Sequence, residues 1–168
     1  MGSIDWLAPV EPGRGMLGLT LGQSLSSVRA MFGESGSSLT FSNSPRLTAD
    51  LSKSGVILLR AVDLNDRKYD WQDVLARLLF EGDELTSIVV LGDRGHEALA
   101  YKGKLFGEVA LGSPVSELLR FGEIEYDDVE EVFFSNQWSG IEVGGAGACD
   151  LLTNPGQFVT SFKIYRPK

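Results

Sequence analysis

The chain has 168 residues, of which 43% are hydrophobic, with one cysteine, one histidine and a formal net charge of −8. A chain this long buries roughly two thirds of its unfolded surface and needs neither metal nor disulfide to fold, and its single cysteine, Cys149, permits no internal disulfide. The charge disfavours nucleic acid and anionic membranes and favours basic partners. No run approaches the ~20 apolar residues of a membrane span, and Met1–Trp6 lacks the basic and apolar stretches of a signal peptide, so the cytoplasm is the expected compartment.

Residues 1–13 read as an N-terminal extension. The first element is Leu21-Gly22-Gln23-Ser24-Leu25-Ser26-Ser27-Val28-Arg29-Ala30-Met31-Phe32-Gly33. Ser24 is placed to cap a helix. Leu25, Val28 and Phe32 fall at i, i+3 and i+7 on one apolar face, and Gly33 is placed to stop it. So short a helix must pack on something else, and a sheet is the expected support. The polar stretch Ser35–Pro45 follows, and strands are expected at 38–42, 46–51, 56–62 and 74–81. The last of these is ambiguous, because Trp71, Leu75 and Leu78 also fit a helix face. A polar turn is expected at Asn65–Asp70. Gly82-Asp83-Glu84-Leu85-Thr86-Ser87-Ile88-Val89-Val90 reads as a turn feeding a strand, and Gly92–Glu97 as a junction.

The pattern then recurs. Leu111-Gly112-Ser113-Pro114-Val115-Ser116-Glu117-Leu118-Leu119-Arg120-Phe121-Gly122 repeats the Leu-Gly start, the apolar spacing and the Phe-Gly end. Here Ser113 is the expected cap and Pro114 the first helical residue. Strands are expected at 124–126, 129–135 and 140–143, a flexible turn at 144–147, and a further strand at 149–152. Gly156-Gln157-Phe158-Val159-Thr160-Ser161-Phe162-Lys163-Ile164 echoes the 82–90 segment as Gly-x-x-[Leu/Val]-Thr-Ser-[Ile/Phe]-x-[Val/Ile]. Two anchors in the same order predict an internal repeat. The expected fold is α+β, with two tandem modules, 14–92 and 106–168, joined by a junction at 93–105. Each module is a short helix followed by antiparallel strands, the two sharing a continuous sheet.

Leu21-Gly22, Val28 and Phe32-Gly33, then Leu111-Gly112, Leu118 and Phe121-Gly122, with Tyr126 and Phe133-Phe134 following, resemble the repeated module of beta-lactamase-inhibitor proteins and of small outer-membrane assembly lipoproteins. The resemblance implies two modules whose exposed sheet face grips a partner protein. The chain departs from both families, lacking the disulfides of the first and the signal peptide and lipidated cysteine of the second. It is also similar to bacterial immunity proteins, small acidic chains that neutralise a cognate toxin.

Catalytic constellations are sparse. His96, in Asp93-Arg94-Gly95-His96-Glu97, reads as a solvated junction residue, and Cys149 as a small core thiol. One histidine and one cysteine make no zinc site. Gly140–Gly147 lacks the Gly-Lys-Ser/Thr ending of a phosphate loop. No metal or cofactor is expected. The stretch Glu123–Glu131 holds six carboxylates, Glu123, Glu125, Asp127, Asp128, Glu130 and Glu131, without the spacing of a calcium loop. Strand alternation places Glu123, Glu125 and Asp127 on one side and Ile124 and Tyr126 on the other. With Tyr126 and Trp138 as aromatic anchors, these residues form the candidate partner-binding site. A solvated hairpin whose charges block edge-to-edge pairing is the plainer reading. Trp6 and Trp71 are expected in the core. The function these features favour is an immunity-type inhibitor, not an enzyme, that binds a cognate toxin with a basic surface. The alternatives are a carboxylate-based hydrolase and a structural or assembly module.

Overall fold

The computed structural model describes residues 3–64, 69, 71–92 and 98–168. The junction histidine, His96, and most of the expected 65–70 turn lie outside the described residues. Antiparallel sheet dominates and helix is scarce. A small hairpin, β1 (Gly15–Met16) with β2 (Leu19–Thr20), precedes a five-residue helix, α1 (Leu25–Arg29). Five strands follow: β3 (Ser38–Thr40), β4 (Arg46–Asp50), β5 (Val56–Ala61), β6 (Val74–Glu81) and β7 (Glu84–Leu91). A 3-10 helix, Val115–Arg120, leads into β8 (Glu125–Asp127), β9 (Val132–Phe134), β10 (Ile141–Gly145) and β11 (Val159–Tyr165). These nine strands form one sheet in the order β3-β4-β5-β6-β7-β11-β10-β9-β8, every pair antiparallel. The terminal strands of the two meanders, β7 and β11, meet at the centre, with Ile88 opposite Ile164 and Val90 opposite Phe162.

Strand alternation divides the sheet into two faces. Leu47, Ala49, Ile57, Leu59, Ala76, Leu78, Ile88, Val90, Ile164, Phe162, Ile141, Val143 and Phe133 point to one side and are nearly free of solvent. Against them lie Val28 and Phe32 of the first helical segment and Val115 and Leu118 of the second, in one continuous core. Ile4, Trp6 and Val10 belong to the same core, so residues 3–13 are built into the fold rather than hung outside it. Trp6 sits edge-on to Tyr101 at 6.1 Å and its indole N–H donates to the Leu99 carbonyl at 3.1 Å. The Val10 amide donates to Lys104 O and the Lys102 amide to Trp6 O, tying the N-terminal segment to the stretch that precedes the second helical turn.

The β6 ambiguity resolves as strand. Ala76 and Leu78 face the core, whereas Arg77 and Leu79 face the opposite side, an alternation a helix cannot produce. Three other expectations are corrected. Residues 149–152 form a turn, not a strand. Asp150 accepts the Thr153 amide at 2.7 Å, and the buried Gln157 amide gathers the carbonyls of Cys149, Asp150 and Asn154. Gly144 and Gly145 end β10 instead of forming a flexible turn. A Cβ on Gly145 would come within 2.2 Å of the Gln157 amide oxygen, so the close approach of strand and loop requires glycine. Pro114 stands at the cap of a 3-10 helix, not inside an α-helix, and Ser113 Oγ accepts instead from the Ala110 amide at 3.0 Å.

The two helix starts dock on the sheet in matching ways. Gly22 N–H donates to Leu85 O at 2.8 Å and Leu85 N–H returns a bond to Gln23 O at 2.9 Å. Gly112 N–H donates to Val159 O at 2.8 Å and Val159 N–H returns one to Ser113 O at 2.8 Å. The next contact also matches: Leu25 N–H reaches Asp83 O at 2.8 Å, and Val115 N–H reaches Gln157 O at 3.0 Å. Gly22 and Gly112 both sit in the left-handed region, with φ of 92° and 88°. Among the described residues no helix is long and apolar enough to cross a membrane.

Candidate functional site

The acidic stretch occupies the outer edge of the sheet. Among the described residues strand β8 is the last strand on its side and pairs only with β9, Tyr126 facing Phe133 and Asp127 facing Val132. Its side chains alternate as the sequence predicts. Glu125 and Asp127 share a face with Phe134 and Val132, while Tyr126 turns toward the core side and packs on Phe133 with ring centroids 5.0 Å apart. Asp127 shapes the turn. Its Oδ1 accepts the amides of Val129 at 2.9 Å and Glu130 at 3.1 Å, the short side-chain loop that aspartate favours. Glu131 closes the turn with a φ of 56°. The tip therefore presents Val129, 83% exposed, between Asp128, Glu130 and Glu131, all exposed. Glu125 accepts from the Asn136 amide at 2.8 Å. Among the described residues none of the six carboxylates forms an ion pair; the salt bridges lie elsewhere, for example Arg120–Glu108 and Lys163–Glu142.

Of the two expected aromatic anchors, Trp138 is buried away from this surface, while Tyr126 turns to the opposite side of β8 from Glu125 and Asp127. Trp138 is 9% exposed and packs edge-on to Phe106, which in turn contacts Phe121. Its ring is committed to the protein's own interior, so it is not presented beside the carboxylates. Tyr126 is half-buried, and its hydroxyl oxygen is shielded without a hydrogen-bond partner among the described residues, as is the Trp138 indole nitrogen. Removal from water holds the Tyr126 hydroxyl above its ordinary pKa, and the negative charges of Glu131, Asp128 and Asp127 push it further. Tyr126 lines a shallow groove of about 320 Å³ with Leu119, Ile124, Phe133, Leu151 and Leu152. Its one carboxylate, Asp150, is held below the ordinary carboxylate range by hydrogen bonds from Thr153 and Leu152. Among the described residues no second carboxylate lines this groove.

A second surface escaped the sequence reading. The sheet face opposite the core carries a bowl of about 480 Å³ over β5 and β6. Val56, Leu58, Val74 and Leu79 form its apolar floor and Trp71 one wall, with Lys53, Arg60 and Arg77 around it. Leu58 and Val74 are buried yet stand outside the continuous core, as residues on the far side of the sheet must. Trp71, expected in the core, is 48% exposed and stacks flat on Tyr69 with ring centroids 5.3 Å apart. Arg60 is anchored by Asp73 at 2.7 Å and Asp50 at 3.5 Å, whereas Lys53 and Arg77 have no ion-pair partner among the described residues. The sequence signal was present but diluted: the three cations lie 7 and 17 residues apart and converge only through the β5–β6 pairing. Among the described residues there is no group of three or more His, Cys, Asp or Glu arranged to hold a metal ion. No protein-family model, no curated protein and no solved structure matches the chain.

Proposed function

We propose that the protein is an immunity-type inhibitor, which binds a cognate toxin with a basic surface in the cytoplasm and blocks its active site or its access to substrate. The observation that carries this reading is the β8–β9 hairpin: six carboxylates on an exposed sheet edge, none neutralised by a lysine or arginine among the described residues. Uncompensated like charge costs self-repulsion in the free protein, and a cationic partner relieves it. Such a field raises the rate of encounter more than it raises affinity, which suits an inhibitor that must reach its toxin quickly. Since Trp138 lies in the core, the apolar part of the contact falls to Val129 at the tip and to Leu119 and Leu152 beside the Tyr126 groove.

We also read the fold as two modules, each a helical turn docked through a left-handed glycine onto its own last strand, with β7 and β11 joining them. The matching hydrogen bonds at Gly22 and Gly112 support this division.

Capture from native lysate tests the function. The tagged chain and a variant carrying Glu123→Lys, Glu125→Lys and Asp127→Lys are compared at low salt, and the captured protein is then produced alone and with each form. The expected result is a basic protein retained by the natural chain and released by the variant, whose toxicity or enzymatic activity the natural chain suppresses at equal stoichiometry. Capture indifferent to charge reversal, or a partner whose activity is unaffected, overturns the reading.

A further inference from the structure

The bowl and the hairpin tip are complementary. The bowl has an apolar floor, Val56, Leu58, Val74 and Leu79, with Lys53, Arg60 and Arg77 around it. The tip has an exposed apolar residue, Val129, ringed by Asp128, Glu130 and Glu131. We propose that the bowl on β5–β6 is a docking site for the acidic hairpin tip of a second copy of this chain.

Three observations lead there. The first is charge: on a chain of net charge −8, Lys53 and Arg77 flank an apolar depression, and among the described residues no carboxylate lines it and neither cation has an ion-pair partner. The second is preorganisation. Asp127 pins the tip through two backbone amides, and Asp73 and Asp50 pin Arg60, so little freedom is lost when the two meet. The third is distance. Strands β6 and β8 are separated by β7, β11, β10 and β9, so at ~4.8 Å per strand spacing the tip lies about 24 Å from the bowl of its own chain and fills only that of another.

The contact is small. A five-residue turn in a bowl of this volume falls below the roughly 1,200 Å² of a standard stable interface, so the association is weak, rapidly exchanging and dependent on salt. Because bowl and tip are different surfaces, copies join either reciprocally in pairs or head to tail in chains. Self-association would also cover the hairpin assigned above to the toxin, and a toxin would then dissociate the assembly. The inference does not depend on that assignment, since it concerns the purified chain alone.

Sedimentation velocity across a concentration series, at ~20 mM and ~500 mM salt, tests it, because screening at the higher salt shortens the reach of these charges to a few ångströms. The expected result is a weight-average mass that rises with concentration at low salt and returns to the monomer at high salt. Val129→Asp and Arg77→Glu should each weaken association at least tenfold, and the double variant Arg77→Glu with Glu130→Arg should recover part of it. Val129 lies on an exposed turn and Lys53 is exposed, so Val129→Asp and Lys53→Glu keep the test valid if Arg77→Glu unfolds the sheet, as thermal unfolding of each variant will report. A chain that stays monomeric at millimolar concentration and low salt overturns the proposal. So does association that Val129→Asp and Lys53→Glu leave unchanged.

Discussion

The two helix starts use one docking scheme with different side chains. In the first, Ser24 Oγ accepts the Ser27 amide at 3.2 Å, α1 forms a true if short α-helix, and Phe32 at its end is fully buried against Phe41. In the second, Pro114 offers no side-chain cap, the segment tightens to a 3-10 helix, and Phe121 stays half-exposed against Phe106. The backbone exchange with the last strand, common to both, holds each segment to the sheet whatever its helix type. Helical stability comes from the docked face rather than from so few residues' own propensity.

The largest expected asymmetry is at the phenylalanines. Phe32→Ala removes a ring from a sealed site and should cost about 3–5 kcal/mol, the range for a buried aromatic truncated to alanine. Phe121→Ala removes a ring already partly in water and should cost less than half of that, about 1–2 kcal/mol. Urea unfolding of both variants checks the pair. Equal costs would show that the two segments are packed alike, against their burial.

Next come the glycines. Gly22→Ala and Gly112→Ala each force a Cβ into the left-handed region, at a cost of roughly 1–2 kcal/mol. A Cβ on Gly112 meets open space, whereas one on Gly22 would come within 2.0 Å of the Arg166 guanidinium, which donates to Leu21 O at 3.3 Å. Gly22→Ala should therefore be the worse of the two, and adding Arg166→Ala should remove most of the excess. A smaller effect is expected at the cap: Ser24→Ala should cost about 1 kcal/mol, and no change at Pro114 has a side-chain cap to lose. Thermal unfolding resolves both comparisons.

Much of this frame is legible in the sequence because its signals are local. The Leu-Gly and Phe-Gly anchors, the i, i+3 spacing of Leu25 and Val28 and the β-branched runs each report on one element, and the structure has a helical turn or a strand where most of them fall. What is illegible arises from tertiary contacts. The β1–β2 hairpin rests on Leu17 and Gly18 at positive φ, and leucine in that position carries no turn signal. Burial of Trp6 depends on Leu99 and Tyr101, more than 90 residues away. Trp138 looks like a surface aromatic beside an acidic run, yet Phe106 claims its ring. Trp71 looks like a core residue, yet the register of β6 starts only at Val74 and leaves it outside. In the candidate site the six carboxylates and their alternation could be read from spacing, whereas the basic bowl required strand pairing to exist.

The smallest expected effect separates the two halves by how each holds a carboxylate. Asp50, at the end of β4, is lowered by hydrogen bonds from the Ser52 hydroxyl and amide and, more weakly, by the charge of Arg60. Asp150, in the loop before β11, is lowered by hydrogen bonds from Thr153 and Leu152, with no cation among the described residues contributing. In both, the folded-state pKa lies below the unfolded value of about 3.9, so each contributes stability that is present above that value and lost as pH falls through the folded pKa. Asp50→Asn and Asp150→Asn should therefore both lower the melting temperature near neutral pH, and both deficits should fade as pH falls through each folded-state pKa, where the natural carboxyl also becomes neutral. Salt distinguishes them. Added salt screens the Arg60 contribution but leaves short hydrogen bonds in place. The Asp50→Asn deficit should shrink at high salt while that of Asp150→Asn stays constant, and melting curves at two ionic strengths across pH 2–7 read the difference. A deficit at Asp150 that shrinks as much as that at Asp50 would place an unrecognised cation beside the second loop, and the two halves would then hold their carboxylates by the same means.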